Sequence, residues 1–331
     1  MELICPAGGL PALEAAIDNG ADAVYIGFND ETNARHFGGL NFDDKNALRA
    51  LERIRSRGRR LFVAINTYAQ PGNFARWQAA VDRAADLSAD AVIVADIGLM
   101  GYVRDKYPQL PLHLSVQASA TSATALEFYR QQFGIRRAVL PRVLSLKQVQ
   151  QLAAGSPVEL EVFGFGSLCI MAEGRCHLSS YITGESPNMN GVCSPAKAVQ
   201  WRPTESGMDA RLNGVLIDHF APDEHAGYPT LCKGRFVVEG KRQHSLEEPV
   251  SLNSMALLPA LREAGIGAIK LEGRQRSPAY VAQVVRTWRE AIDAVMEEGG
   301  GFSVRERWKE TLAKNSEGKQ TTLGAYDRPW Q

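Results

Sequence analysis

Gly20-Ala21-Asp22-Ala23-Val24-Tyr25-Ile26-Gly27 is the stretch on which the fold turns. Its opening recurs as Ser88-Ala89-Asp90-Ala91-Val92 and, in altered form, as Gly265-Ile266-Gly267-Ala268-Ile269. Each closes a helical period with helix C-cap chemistry and then starts a buried strand, the αβ junction of a parallel sheet. Working outward, short β-branched runs begin at Leu3, Ala23, Leu61, Ala91, Leu112, Ala138, Val158 and Ala268. Helical periods lie between them, at Leu10 to Asn19, Asp43 to Ser56, Asn73 to Leu87, Ser122 to Gln132 and Ser145 to Ala153. Such alternation specifies an α/β layer architecture, and eight units are the number that closes a TIM-like (β/α)8 barrel. A doubly wound open sheet is the alternative, but no G-x-G-x-x-G follows an early strand, and Cys5-Pro6-Ala7-Gly8-Gly9 has the wrong spacing for that fingerprint.

The unit spacing breaks after the seventh strand. Between Phe163 and Ala268 the chain is far longer than one helix and two loops need, and it is interrupted by Gly184-Glu185-Ser186-Pro187-Asn188, Pro203 to Gly207 and Gly227-Tyr228-Pro229. Only Asn253 to Glu263 reads there as a helix. The expected division is barrel units over residues 1–163, an insertion over 164–250 on the face where barrel active sites are built, barrel completion over 251–314, and a tail over 315–331 that either docks or is disordered.

Composition bounds the rest. The 331 residues are 45% hydrophobic, with 37 basic and 37 acidic side chains, so a sizeable core is available and there is no broad positive field for collecting phosphates. Met1 to Pro6 lacks the basic and apolar regions of a signal peptide, and the near-apolar stretch from Ala91 to Val103 is too short to cross a bilayer. The expectation is a cytosolic protein with reduced thiols.

Four of the five cysteines, Cys169, Cys176, Cys193 and Cys232, fall in the insertion with spacing C-x6-C-x16-C-x38-C. That matches neither the zinc-ribbon and zinc-finger templates nor the common ferredoxin spacings. Buried small residues, a structural zinc site and an iron–sulfur cluster all remain open on pattern alone. A segment poor in periodic apolar residues has little core in which to bury thiols, and its place on the catalytic rim favours the cluster. Cys5 reads as a barrel-interior residue at the rim. The six histidines include no H-E-x-x-H pair, and there is no G-x-S-x-G elbow.

Just past the strand ends stand Gly27, Asn66, Asp96, Gln117 with Ser119, Arg142, Gly164 with Gly166, and Glu272 with Arg274. On a barrel these converge on one mouth. Arg35, Arg142, Arg175, Arg274 and Arg276 are numerous enough there to suit a carboxylate substrate, whose two oxygens the guanidinium fork matches; ion pairs with Glu161 or Glu272 are the structural alternative.

The stretch Phe163-Gly164-Phe165-Gly166-Ser167-Leu168-Cys169-Ile170-Met171, with Glu173-Gly174-Arg175-Cys176, Ser179-Ser180-Tyr181 and Gly184 to Asn188, resembles the collagenase-like peptidase family. Cys5-Pro6-Ala7-Gly8, Ala21 to Gly27 and Lys270-Leu271-Glu272-Gly273-Arg274 match it as well. The resemblance runs nearly end to end, including Gln320 to Tyr326, and is strongest to the branch that serves oxygen-independent ubiquinone biosynthesis. It implies a 4Fe–4S cluster on Cys169, Cys176, Cys193 and Cys232, a heterodimer with a related UbiV-like iron–sulfur protein, and ring hydroxylation of a quinone precursor with prephenate as the suggested hydroxyl donor. Peptidase activity is not implied for this branch. On that basis Arg142, Arg274 and Arg175 are expected to bind the donor's carboxylates. Asn66, Gln117 and Glu272 would orient polar oxygens, with Glu272 the candidate acid or base.

Overall fold

A computed structural model describes residues 1–169, 171 and 176–327. Seven parallel strands alternate with helices: β1 (Glu2–Pro6), β2 (Ala23–Gly27), β3 (Arg60–Ile65), β4 (Ala91–Val94), β5 (Leu112–Leu114), β6 (Arg137–Val139) and β7 (Glu159–Ser167). The chain then builds an antiparallel sheet of β8 (Val199–Thr204), β9 (Gly207–Leu212) and β10 (Val215–Phe220), and a hairpin of β11 (Arg235–Val238) and β12 (Lys241–His244). It returns through β13 (Ser251–Asn253), antiparallel to β7, before β14 (Ala268–Leu271) pairs in parallel with both β7 and β1. Eight parallel strands thus close a (β/α)8 barrel.

The repeated junctions have a local cause. Asp22 accepts the amide hydrogen of Leu3 at 2.8 Å through its carboxylate, and Asp90 accepts that of Leu61 at 2.7 Å. Each aspartate supplies the acceptor that the first turn of the neighbouring strand lacks, so the motif pins strand to strand. Caps act likewise on the helices: Asp96 accepts from Leu99 N, and Ser145 forms a capping box with Gln148.

Strand alternation divides the buried residues into two layers. Leu3, Cys5, Val24, Ile26, Val63 and Ile269 belong to the large cluster between barrel and helices, whereas Ile4, Tyr25, Phe62, Ala64, Ile93 and Ala268 form a separate interior cluster. Cys5 therefore faces the helical shell and not the barrel interior as expected, because it is one residue out of phase with Ile4 on a period of two. The interior also holds ions where this fold normally packs branched apolar residues. Arg137, buried on β6, pairs with Glu2 at 2.6 Å, Glu159 at 2.7 Å and Glu161 at 3.2 Å, and Lys270 on β14 pairs with Glu161 at 2.6 Å.

Three sequence readings change. The stretch from Asn253 to Glu263 begins as a strand, passes through a 3-10 turn at Met255–Leu257 and becomes α-helical only at Leu258–Glu263. The insertion has five strands of its own; β8, β11 and β12 are largely exposed and so lack the alternation that a half-buried strand would show, and tight turns separate the paired strands. The tail docks as far as it is described: Thr321–Thr322 pairs in parallel with β13, and Tyr326 packs against the apolar group Val116, Val139, Phe163 and Leu252 at the barrel mouth. Pro329 and Trp330, read as part of a docking surface, lie outside the described residues. No helix among the described residues is long and apolar enough to cross a membrane.

Candidate active site

A pocket opens at the C-terminal end of the barrel strands, lined by Asn66, Gln117, Arg142, Glu272 and Arg274 among others. Five of the six residues expected to carry chemistry or bind substrate are thus brought together. Arg175 lies outside the described residues. Of the other expected strand-end groups, Asp96 is occupied as a helix cap and as acceptor of Ala69 N at 3.2 Å, and neither it nor Ser119 lines the pocket.

Glu272 is the centre of the site. Its two oxygens are held by Arg35 Nη2 at 2.7 Å and Arg142 Nη1 at 2.8 Å. Burial alone would push the carboxyl up, but the two guanidinium groups reverse this and hold it at about 2. A carboxylate so stabilised is a weak base. Arg142 also donates to Ser167 O at 2.9 Å and lies 4.3 Å above the Phe163 ring centroid.

The loop after β2 is what places Arg35. Asn66 Oδ1 accepts from Ala34 N at 2.9 Å, while Asn66 Nδ2 donates to Ser115 Oγ at 3.3 Å. Asn66 therefore acts on the site by fixing the backbone beside Arg35. Arg274 donates to Asn33 Oδ1 at 3.0 Å, and burial brings its guanidinium down to about 10, so it remains cationic at neutral pH. Gly27 is required by this approach, since a Cβ there would stand 2.6 Å from both Arg274 Nη1 and Asn33 Cγ. Gly166 combines φ +145 with a virtual Cβ 2.4 Å from Glu272 Cβ, so both backbone and contact exclude a side chain. Gln117 reaches the mouth because β5 stops at Leu114, two residues earlier than its apolar run suggests. A 3-10 turn, Val116–Ala118, follows, with Ser115 capping Gln117 N at 3.2 Å.

The insertion leans over the same mouth. Tyr68 N donates to Asn188 O at 2.8 Å, and Gly191 packs so closely on the Asn33 carbonyl that a Cβ would lie 2.4 Å from it. The Cys193 thiol is raised by the crowding of surrounding protein; Arg35 opposes that shift, and Cys176, Cys232 and Glu272 add to it. Cys193 is thus within electrostatic range of Cys176, of Cys232 and of the Arg35–Glu272 pair. Among the described residues no group of three His, Cys, Asp or Glu side chains stands at metal-ligand separations.

Sequence reasoning missed several of the pocket's lining residues. Tyr25, Ser115, Lys270 and Tyr280 also line it, and Arg35, noted only as one arginine among several, is the partner of Glu272. The available signal was the alternation Ala268, Lys270, Glu272: an ionisable residue inside an otherwise apolar strand points into the barrel. A second arrangement was invisible in sequence. On the insertion sheet Ser206 Oγ lies 3.2 Å from His219 Nε2, whose Nδ1 lies 2.8 Å from Asp209 Oδ1. The three residues share no motif because the sheet register, Asp209 opposite His219, brings them together.

The sequence model described as peptidase family U32 matches residues 8–328. The chain is similar to tRNA hydroxylation protein P of Escherichia coli, with 28% identity over 310 residues that cover 88% of this chain and 68% of that protein. It is similar also to an uncharacterized protease of Methanocaldococcus jannaschii, 30% identical over 323 residues, covering 95% of this chain and 70% of the other. A collagenase of Porphyromonas gingivalis is 27% identical over 323 residues, covering 94% and 70% respectively.

Proposed function

The chain belongs to peptidase family U32, and from that premise we propose that it is a UbiU-like iron–sulfur protein that takes part in oxygen-independent hydroxylation of the aromatic ring of a ubiquinone precursor, together with a UbiV-like partner. A hydroxylation role is supported by relatives such as the tRNA hydroxylation protein. The observation that carries the reading is that Cys193 of the insertion stands within electrostatic range of Arg35 and Glu272, two residues that line the pocket at the barrel mouth. The choice of a quinone precursor as substrate rests on the resemblance to the branch that serves oxygen-independent ubiquinone biosynthesis.

The donor set suits an iron–sulfur cluster: Cys169, Cys176, Cys193 and Cys232 would hold it through soft thiolates. When bound, the cluster supplies electron transfer at the mouth. This chain's own residues do the rest. Arg142 and Arg274 bind the carboxylates of a donor such as prephenate, with Arg175 the third cation assigned to that task. Glu272 fixes the angle of Arg142 and Arg35, Asn66 holds the loop beside Arg35, and Gln117 offers an amide to a substrate oxygen. The docked tail and Tyr326 exclude water from one side of the mouth. Protein purified without oxygen is expected to carry about four iron and four sulfide per chain, as one 4Fe–4S cluster requires. Stoichiometric zinc with no labile sulfide contradicts the proposal.

One observation favours a second reading. Ser206, His219 and Asp209 stand in the order of a hydrolase relay, nucleophile to base to orienting carboxylate. Ser206 lies in the exposed turn between β8 and β9, while Asp209 and His219 stand on β9 and β10; none of the three lines the pocket, and Arg211 also occupies Asp209 at 3.0 Å. Labelling of Ser206 by a fluorophosphonate would favour hydrolysis; an unlabelled serine leaves hydroxylation as the reading.

A further inference from the structure

The pocket is layered, and its layers describe a ligand. Its rim is made by Arg35, Arg142 and Arg274, which stand beyond the strand ends, while Ile93, Val139, Phe163 and Lys270 lie within the strands and hence deeper. Resting on the reading of this pocket as the substrate site, we infer that Lys270 is a specificity-determining residue. It donates a hydrogen bond to an oxygen on the far side of a ring whose carboxylate is held by the rim arginines.

The spacing comes from the strand. Lys270 lies on β14 and Glu272 one residue past its end, beyond a register shift against β7 at Lys270–Leu271, so two residues of extended chain separate their levels by at most about 7 Å at the usual strand rise. That is the scale of a six-membered ring with a carboxylate at one end and an oxygen opposite. The Phe163 ring beneath the Arg142 guanidinium, with Ile93 and Val139, offers apolar surface to the ring between those two ends.

The chemistry of the deep layer points the same way. Lys270 Nζ lies 2.6 Å from Glu161 Oε1 and 4.1 Å from the centroid of the Tyr25 ring. Around it stand Glu161 on β7, Arg137 on β6, His113 on β5, Tyr25 on β2 and Arg274 just beyond β14. Burial and the neighbouring Arg274 and Arg137 pull the ammonium down from its usual value, and Glu161 opposes them. Because Arg137 also binds Glu161, that carboxylate cannot answer Lys270 alone. An oxyanion or phenolic oxygen arriving from the pocket side would be a second acceptor for the Lys270 ammonium, whose one carboxylate within salt-bridge distance among the described residues, Glu161, is shared with Arg137. Among the described lining residues, Lys270 is the one cation that is not a guanidinium, and an ammonium gives up a proton more readily than a guanidinium.

The test uses the anaerobically purified full chain with 4-hydroxybenzoate and benzoate as probes. The wild type is expected to bind the hydroxylated acid at least tenfold more tightly. Its difference spectrum should show phenolate at a pH where the free phenol is still protonated. Lys270→Met should lose both effects while still binding benzoate; Lys270→Arg should keep the tighter binding in part. Equal affinity of the wild-type protein for the two acids overturns the inference whatever the variants do, and so does an unchanged preference in a folded Lys270→Met protein. Failure of the wild type to bind either acid overturns the inference and the reading of the pocket together. Equal binding of both removes the inference alone.

Discussion

Alanine at any one of Cys169, Cys176, Cys193 or Cys232 is expected to abolish hydroxylation and to lower iron content steeply. The same change at Cys5 should leave iron intact. The contrast follows from placement: Cys5 is fully buried in the layer between strands and helices, while Cys193 lies within electrostatic range of Cys176 and Cys232 at the mouth. Lost metal should also loosen the insertion. Its described core is small, chiefly Ala198, Ala210, Leu212, Ile217 and Phe220, and ligand binding would order the loops that such a core does not hold. Limited proteolysis of the variants should therefore cut between residues 168 and 250 before it cuts the barrel. Full iron content in all four variants would remove the cluster from these residues.

Arg137→Met is expected to destabilise the barrel by about 3 to 5 kcal/mol, the cost of removing one partner from a buried ion pair. Arg137 is 2% exposed and joins Glu2, Glu159 and Glu161, and Glu161 is itself 1% exposed. Without the guanidinium, Glu161 keeps only the ammonium of Lys270 within salt-bridge distance among the described residues. Urea unfolding measures the loss. Adding Glu161→Gln to Arg137→Met should cost less than Glu161→Gln costs alone, since the Arg137 contact is already gone while Lys270 loses its carboxylate in both backgrounds; an additive double variant would show that the two residues do not share one network.

What could be read in advance follows the physics of each region. The barrel was legible because its strands are buried on both faces and its junction aspartates repeat with them. The first strand shows the limit: Leu3 to Cys5 reads as a strand, but which of its residues faces the interior depends on a register that the run alone does not set. The insertion's strands were not legible, since Gln200, Trp201, Arg202 and Thr204 are all exposed and leave no polar–apolar alternation. At the mouth, Asn66, Gln117, Arg142, Glu272 and Arg274 could be picked out as strand-end polar groups, but their division of labour could not. The pairing of Glu272 with Arg35, 237 positions away, is a product of closure, as is the support that Asn66 gives to Ala34. Lys270 went unread as a pocket residue because one lysine in an apolar run resembles a strand's solvent-facing position until the barrel closes around it.

The proposed function is tested most directly by the ubiquinone content of cells lacking this chain, grown with and without oxygen. Loss of ubiquinone without oxygen, normal content with it, and rescue by the wild-type chain but not by Cys193→Ala are the predicted results. Unchanged ubiquinone in both conditions would contradict the account.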